Sequence, residues 1–194
     1  MRRLTPADYR AMPWRNGGGT TTEIAIAPDG AVVGERFLYR VSIADVASDG
    51  PFSRFEGYDR HIMLLAGAGM TLDCCGHAPI ALEEPFVPRV FSGDWDVRGM
   101  LVAGPVRDFN VMVDRARASS TLGVRLLEAA EGIACEPGET CIVHVIDGEL
   151  AEAAAGDTLI IEAPLVLVPR AATRVAIVRI VPRQPTVAAH AGSR

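Results

Sequence analysis

Short apolar stretches, cut apart by Gly, Pro and Asp, dominate this chain and set its secondary structure. Thr22–Ala27, Phe37–Ala44, Arg60–Leu65, Gly69–Asp73, Thr140–Ile146, Thr158–Glu162 and Thr173–Val181 each read as a strand bounded by turn residues. Helical signals are few. Thr5–Arg10 predicts a single turn, with Thr5 as N-cap and Pro6 at the first helical position. Strands of this length at this spacing predict an all-β sandwich or barrel.

A weak internal repeat refines that expectation. His61–Leu72 precedes Phe91-Ser92-Gly93-Asp94, and His144–Leu150 precedes Ala155-Gly156-Asp157-Thr158. Each half has an apolar strand, a tight Gly turn, another strand and a Gly-Asp turn into the next. That is the pattern of a small jelly roll used twice. The halves are expected to meet around Ala116–Gly123, where Arg-Ala-Ser-Ser-Thr reads as a connector. Residues 1–115 would form the first barrel and 116–194 the second barrel and tail, in one compact chain with room for strands exchanged between them.

Composition narrows the function classes. A chain of 194 residues with 49% hydrophobic residues can bury a sizeable core. Its net charge of -5 and pI near 5.4 argue against nucleic acid as partner. No lysine is present, so every basic side chain is Arg. That removes Schiff-base chemistry and a P-loop, and leaves planar donors suited to carboxylates. Met1-Arg2-Arg3 is followed by no apolar run, and no segment has membrane-spanning character. A soluble cytoplasmic protein is expected. The cysteines, Cys74, Cys75, Cys135 and Cys141, lack paired CxxC spacing and are expected to be reduced and mostly buried.

Candidate chemistry begins at Pro13-Trp14-Arg15-Asn16-Gly17-Gly18-Gly19-Thr20-Thr21-Thr22-Glu23. Three glycines between an Arg-Asn pair and a Thr/Glu cluster suit either a turn or the cradle of a small polar anion. Polar residues also interrupt strands. Arg40 and Ser42 break an apolar run, Asp59-Arg60 precede another, and Arg107-Asp108-Phe109-Asn110 lead a third. An arginine turned into a barrel must meet a carboxylate, from the protein or from a ligand. For Arg60 a structural pair with Asp59 or Asp108 and a ligand-binding role both remain open. Asn16 and Asn110 add capacity for an amide or formyl group.

Two chemistries find no support. A barrel metal needs two His two apart with a Glu and a later His, whereas His61, His77, His144 and His190 stand singly. No metal or other cofactor is expected. A nucleophile elbow is also missing, so no catalytic residue is assigned.

The blocks Pro13–Thr20 with Glu23, Arg40–Ala44, Gly50–Phe55, Gly57–Arg60 and Gly104–Met112 together resemble the HutD/Ves family of bacterial proteins associated with histidine utilisation. They cover about residues 9 to 115. Arg15 departs from the Lys of many relatives, keeping charge but changing donor geometry. The resemblance implies a bicupin without the metal-ligand set, and a role in histidine breakdown that is regulatory. It implies as ligand N-formylglutamate or a related small carboxylate, with Asn16, Arg60 and Asp108 as principal site residues and Arg40, Thr20 and Asn110 in support. Arg60 would grip a carboxylate, Asn16 meet an amide or formyl group, and Asp108 orient an arginine. Two other classes stand beside this one: a metal-independent enzyme acting on a histidine-degradation intermediate, and a protein-interaction module with a vestigial pocket. For the last, Leu165-Val166-Leu167-Val168 offers a homodimer face, or else a buried strand.

Overall fold

The computed structural model describes residues 1–183; His190 lies outside them. Seventeen strands run in order: β1 Arg2–Leu4, β2 Arg10–Pro13, β3 Gly19–Ala27, β4 Tyr39–Val46, β5 Gly50–Pro51, β6 Tyr58–Ala66, β7 Met70–Cys74, β8 Ile80–Leu82, β9 Arg89–Ser92, β10 Val97–Leu101, β11 Val106–Asp114, β12 Ala118–Leu127, β13 Glu131–Ile133, β14 Thr140–Asp147, β15 Thr158–Ile161, β16 Leu165–Leu167 and β17 Thr173–Pro182. Every strand expected from periodicity is present. So is the turn at Pro6–Asp8, a 3-10 helix in which Asp8 Oδ2 accepts from both Thr5 N and Thr5 Oγ1 at 2.8 Å.

Four sheets form two barrels. The first combines a six-stranded sheet, β2-β3-β4-β11-β6-β9, with a four-stranded one, β5-β10-β7-β8. The second combines β1-β15-β14-β17-β12 with the pair β13-β16. All the ladders within these sheets are antiparallel. The first strand of the chain belongs to the second barrel's sheet, since β1 pairs with β15 and Arg3 holds Asp157 at 2.6 Å.

The stretch expected as a connector is instead β12, ten residues paired along their whole length with β17. Its Ser-Ser-Thr start looks loop-like because β12 is an edge strand whose outer face is wet.

Alternation along the central strands explains where the apolar side chains go. On β11, Phe109, Val111 and Val113 point away from the first barrel, while Asp108, Asn110 and Met112 point into it, and both sets are buried. The outward set packs with Val41, Ile43 and Met63 against Ile142, Ile160, Ala176 and Val178 of the facing five-stranded sheet. This layer joins the barrels. Two imidazoles lie in it: His61 Nε2 is 2.9 Å from Ser120 Oγ, and His144 Nδ1 is 2.9 Å from Thr158 Oγ1. Burial pushes the His144 pKa down to about 4.

The two barrel interiors differ. Val143, Val145, Leu150, Leu159, Ile161, Leu167 and Val175 fill the second. In the first, Ile62, Leu64, Met70, Leu72, Leu82 and Phe91 fill only one end. The other end is polar and holds a cavity. Leu165–Leu167 is neither fully buried nor a broad apolar face, because Leu167 is buried and Val166 exposed.

Candidate functional site

The polar end of the first barrel is set by register. Arg40 on β4 and Arg60 on β6 both face Met112 on β11, and one step deeper Ser42 and Ile62 flank Asn110. Asp108 lies a further step in, between Ala44 and Leu64, with no exposed surface. Three strands therefore place two guanidinium groups above an amide and a carboxyl on one inward face. They bound a cavity of about 600 Å³, closed above by Trp14, Arg15 and Asn16 and at the side by Phe52, Ser53 and Phe55.

The two arginines are held differently. Arg40 Nε donates to Glu23 Oε2 at 2.7 Å, a buried ion pair across the β3–β4 ladder. Arg60 has no carboxylate partner among the described residues. Its Nη1 donates to Ser53 O at 3.1 Å, and its Nε is buried without any hydrogen-bond partner. Aromatic rings surround it instead, with Cζ 4.8 Å from the Phe91 centroid, 5.4 Å from Phe52 and 5.6 Å from Phe55. These faces offset part of the desolvation of the cation. Burial still pulls the Arg60 pKa down to about 10, with Asp108 opposing that shift.

Asp108 was expected to orient an arginine. It does not do so directly, because Asn110 stands between them and donates from Nδ2 to Asp108 Oδ1. Asp108 Oδ2 and Asn110 Oδ1 are buried and unpaired. Burial raises the Asp108 pKa to about 7, against the Asn110 hydrogen bond and the Arg60 charge. Asp59, the other expected partner of Arg60, faces the opposite side of β6 and takes Arg115 Nε at 2.9 Å.

The glycine segment closes the mouth. Asn16 Oδ1 accepts from Gly18 N at 3.0 Å, Trp14 N donates to Gly19 O on the returning chain at 2.9 Å, and Trp14 Nε1 donates to Thr21 Oγ1 at 2.8 Å. Gly17 has φ 71°, and a Cβ on Gly19 would collide with Asp45 O. The glycines thus let the loop lie close against β4 and aim Arg15 and Asn16 at the cavity.

Of the expected site residues, the structure brings Arg40, Arg60, Asn110 and Asn16 to the cavity and sets Asp108 beneath it. Thr20 does not line it. Strand alternation turns Thr20 away and puts Thr21 at the cavity, with Glu23 on the same face of β3. Sequence reasoning also missed the Glu23–Arg40 pair and the Phe52/Phe55/Phe91 cage. The signal for the first was parity, since Glu23 faces Ser42 across β3–β4 next to a bulge.

A barrel metal does not fit this interior. The cavity wall offers three guanidinium groups and amides but neither imidazole nor carboxylate, and Glu23, behind that wall, is engaged by Arg40. Among the described residues, the one cluster of three His, Cys, Asp or Glu close enough to share an ion is Cys135, Glu139 and Cys141, on the second barrel.

Two jelly-roll barrels joined through facing sheets define a cupin-type double barrel. A cupin 2 barrel protein from Leptotrichia buccalis shares that fold with TM-score 0.54 at 10% identity, covering 90% of this chain and 96% of that one. The chain belongs to the HutD family, whose model matches residues 6–178. Its similarity to the structure of HutD from Pseudomonas fluorescens SBW25, obtained in a formate condition, has TM-score 0.78 and 30% identity over 94% of this chain and 99% of that one. An uncharacterised 21.2 kDa protein from the hutC 3' region of Pseudomonas putida is 43% identical over 109 residues, 56% of each chain. Protein Ves of Escherichia fergusonii is 38% identical over 109 residues, 54% of this chain and 55% of that protein. These matches span just over half the length of the curated relatives. The family is associated with the histidine-utilisation locus.

Proposed function

We propose that this protein binds a small carboxylate-bearing metabolite in the first barrel and thereby regulates histidine utilisation. The observation that carries the reading is Arg60, a buried guanidinium with an unsatisfied Nε and no ion pair to a carboxylate among the described residues, Asp108 acting on it only through its field. A cation so placed is stabilised when a ligand supplies the anion. The ligand carboxylate lies against Arg60 and the outer donors of Arg40, with Phe52 and Phe55 covering its carbon chain. Asn110 and Asn16 meet an amide or formyl group. N-formylglutamate has both functions, and the cavity volume suits a molecule of that size. Formate, in whose presence the P. fluorescens relative was solved, is the smallest member of the class.

An enzymatic reading has one favouring observation, the buried Asp108 whose pKa of about 7 suits proton transfer. Asp108 does not line the cavity, however, and reaches it only through Asn110. Incubation of the protein with N-formylglutamate, urocanate and formate separates the two. Binding seen as a thermal shift, with each compound recovered unchanged, is the expected result. Turnover that is lost in Asp108→Asn would replace the binding reading with the enzymatic one.

A further inference from the structure

The closed end of the second barrel carries a cluster that the cavity does not use. The chain leaves β13 at Ile133, turns through Pro137-Gly138 and enters β14 at Thr140, so Cys135 and Glu139 lie in the turn and Cys141 on the strand. One ligand atom from each of Cys135, Glu139 and Cys141 lies within 4.8 Å of the others. Both cysteines are buried and free.

Their thiols have only weak partners. Cys135 Sγ is 3.5 Å from Glu139 O and from Ile161 O, and Cys141 Sγ is 3.7 Å from Ala134 O. Two charged groups, Glu139 and Arg179, stand beside them. Glu139 Oε2 accepts from Glu136 N at 3.1 Å, which fixes the carboxylate in the turn. Arg179, the register partner of Cys141 on β17, places Nη1 3.6 Å from Cys141 Sγ, 2.7 Å from Ala134 O and 3.7 Å from Glu139 Oε2.

We propose that Cys135, Glu139 and Cys141 form a zinc(II) site that clamps the β13–β14 turn to the barrel end, with Arg179 as its charge partner. Two thiolates and one carboxylate carry three negative charges, which one divalent ion and one guanidinium cancel. Two sulfurs with one oxygen form a borderline-soft donor set that selects zinc over magnesium or calcium. Zinc–sulfur bonds of about 2.3 Å put tetrahedral sulfurs roughly 3.8 Å apart, inside the span of the cluster. The Glu139 side chain is 16% exposed, so water reaches the fourth position. Binding is not a redox step: each thiol gives its proton to solvent as its sulfur bonds the ion, releasing two protons per zinc. The spacing Cys-x3-Glu-x-Cys hides the site from a search for paired CxxC motifs.

The test is titration of the reduced, metal-free full chain with Co(II) under anaerobic conditions. The expected result is one ion per chain with a thiolate-to-cobalt charge-transfer band that Zn(II) abolishes, and a higher melting temperature with zinc. Cys135→Ala and Cys141→Ala lose the band, and Cys75→Ser, which removes the exposed cysteine, retains it. Because a core cysteine variant can fail to fold, Glu139→Gln serves as second variant. It retains both sulfurs and the band but binds zinc at least ten-fold more weakly. The proposal is overturned by no stoichiometric band, by a band that persists in Cys135→Ala and Cys141→Ala, or by a Cys135–Cys141 disulfide whose reduction yields protein that takes up no metal.

Discussion

Glu23 neutralises Arg40 inside the first barrel through a 2.7 Å bond, both side chains being about nine-tenths buried. The neighbouring Arg60, on the same inward face, has aromatic rings where Arg40 has a carboxylate. One arginine is paired within the scaffold, and in the proposed function the other is left for the ligand. Breaking a buried pair from one side leaves an uncompensated charge, so Glu23→Gln should cost about 3 kcal/mol in urea unfolding.

The pH response of the site follows from Asp108. Its pKa in the fold, about 7, lies above the ordinary value of 3.8, so its contribution to stability is complete below pH 3.8 and is lost as pH rises through 7. Asp108→Asn retains an acceptor for Asn110 Nδ2 and removes the buried charge. Unfolding at pH 8 should find that variant more stable than wild type by about 1–3 kcal/mol, with the difference vanishing near pH 4. An ionised Asp108 also opposes the positive field of Arg60. Calorimetry at pH 6 and pH 8 should therefore find several-fold tighter carboxylate binding at the lower pH in wild type, and no such difference in Asp108→Asn.

His144 acts in the opposite sense. Its pKa of about 4 lies below the ordinary 6.5, so its contribution is complete above pH 6.5 and is lost as pH falls toward 4. An NMR titration should find its ring neutral at pH 5, while the inter-barrel layer that contains it loosens at lower pH. A ring that charges with an ordinary midpoint would contradict its place beside Phe109 and Thr158.

The glycine loop makes a position-specific prediction. At Gly19 an added Cβ meets Asp45 O and the Trp14 ring at 3.1 Å, whereas at Gly17 it meets nothing within 4 Å but adopts a left-handed φ. Gly17→Ala should cost about 1 kcal/mol with ligand affinity unchanged. Gly19→Ala should displace Trp14 from Thr21 and weaken binding at least ten-fold.

Strand periodicity made the double barrel legible, because most strands carry apolar residues on one or both faces. β12 escaped notice since an edge strand with a wet face admits Ser, Thr and Gly. Arg40, Arg60, Asp108 and Asn110 were legible as polar breaks within apolar strands. Thr20 was misplaced by one residue, and one residue reverses the face in a strand. The Glu23–Arg40 pair and the aromatic cage depend on cross-strand register and on a loop folding back, neither of which local pattern encodes.

The central claim is that Arg60 is retained for a ligand at a cost to the fold. Arg60→Met fills the Phe52, Phe55 and Phe91 cage with an apolar chain of similar length and removes the unsatisfied buried charge. Paired unfolding and calorimetric titration with N-formylglutamate should find Arg60→Met at least as stable as wild type and its binding weaker by 100-fold or more. Wild-type affinity in Arg60→Met, or no binding of any small carboxylate by the wild type, would contradict the account.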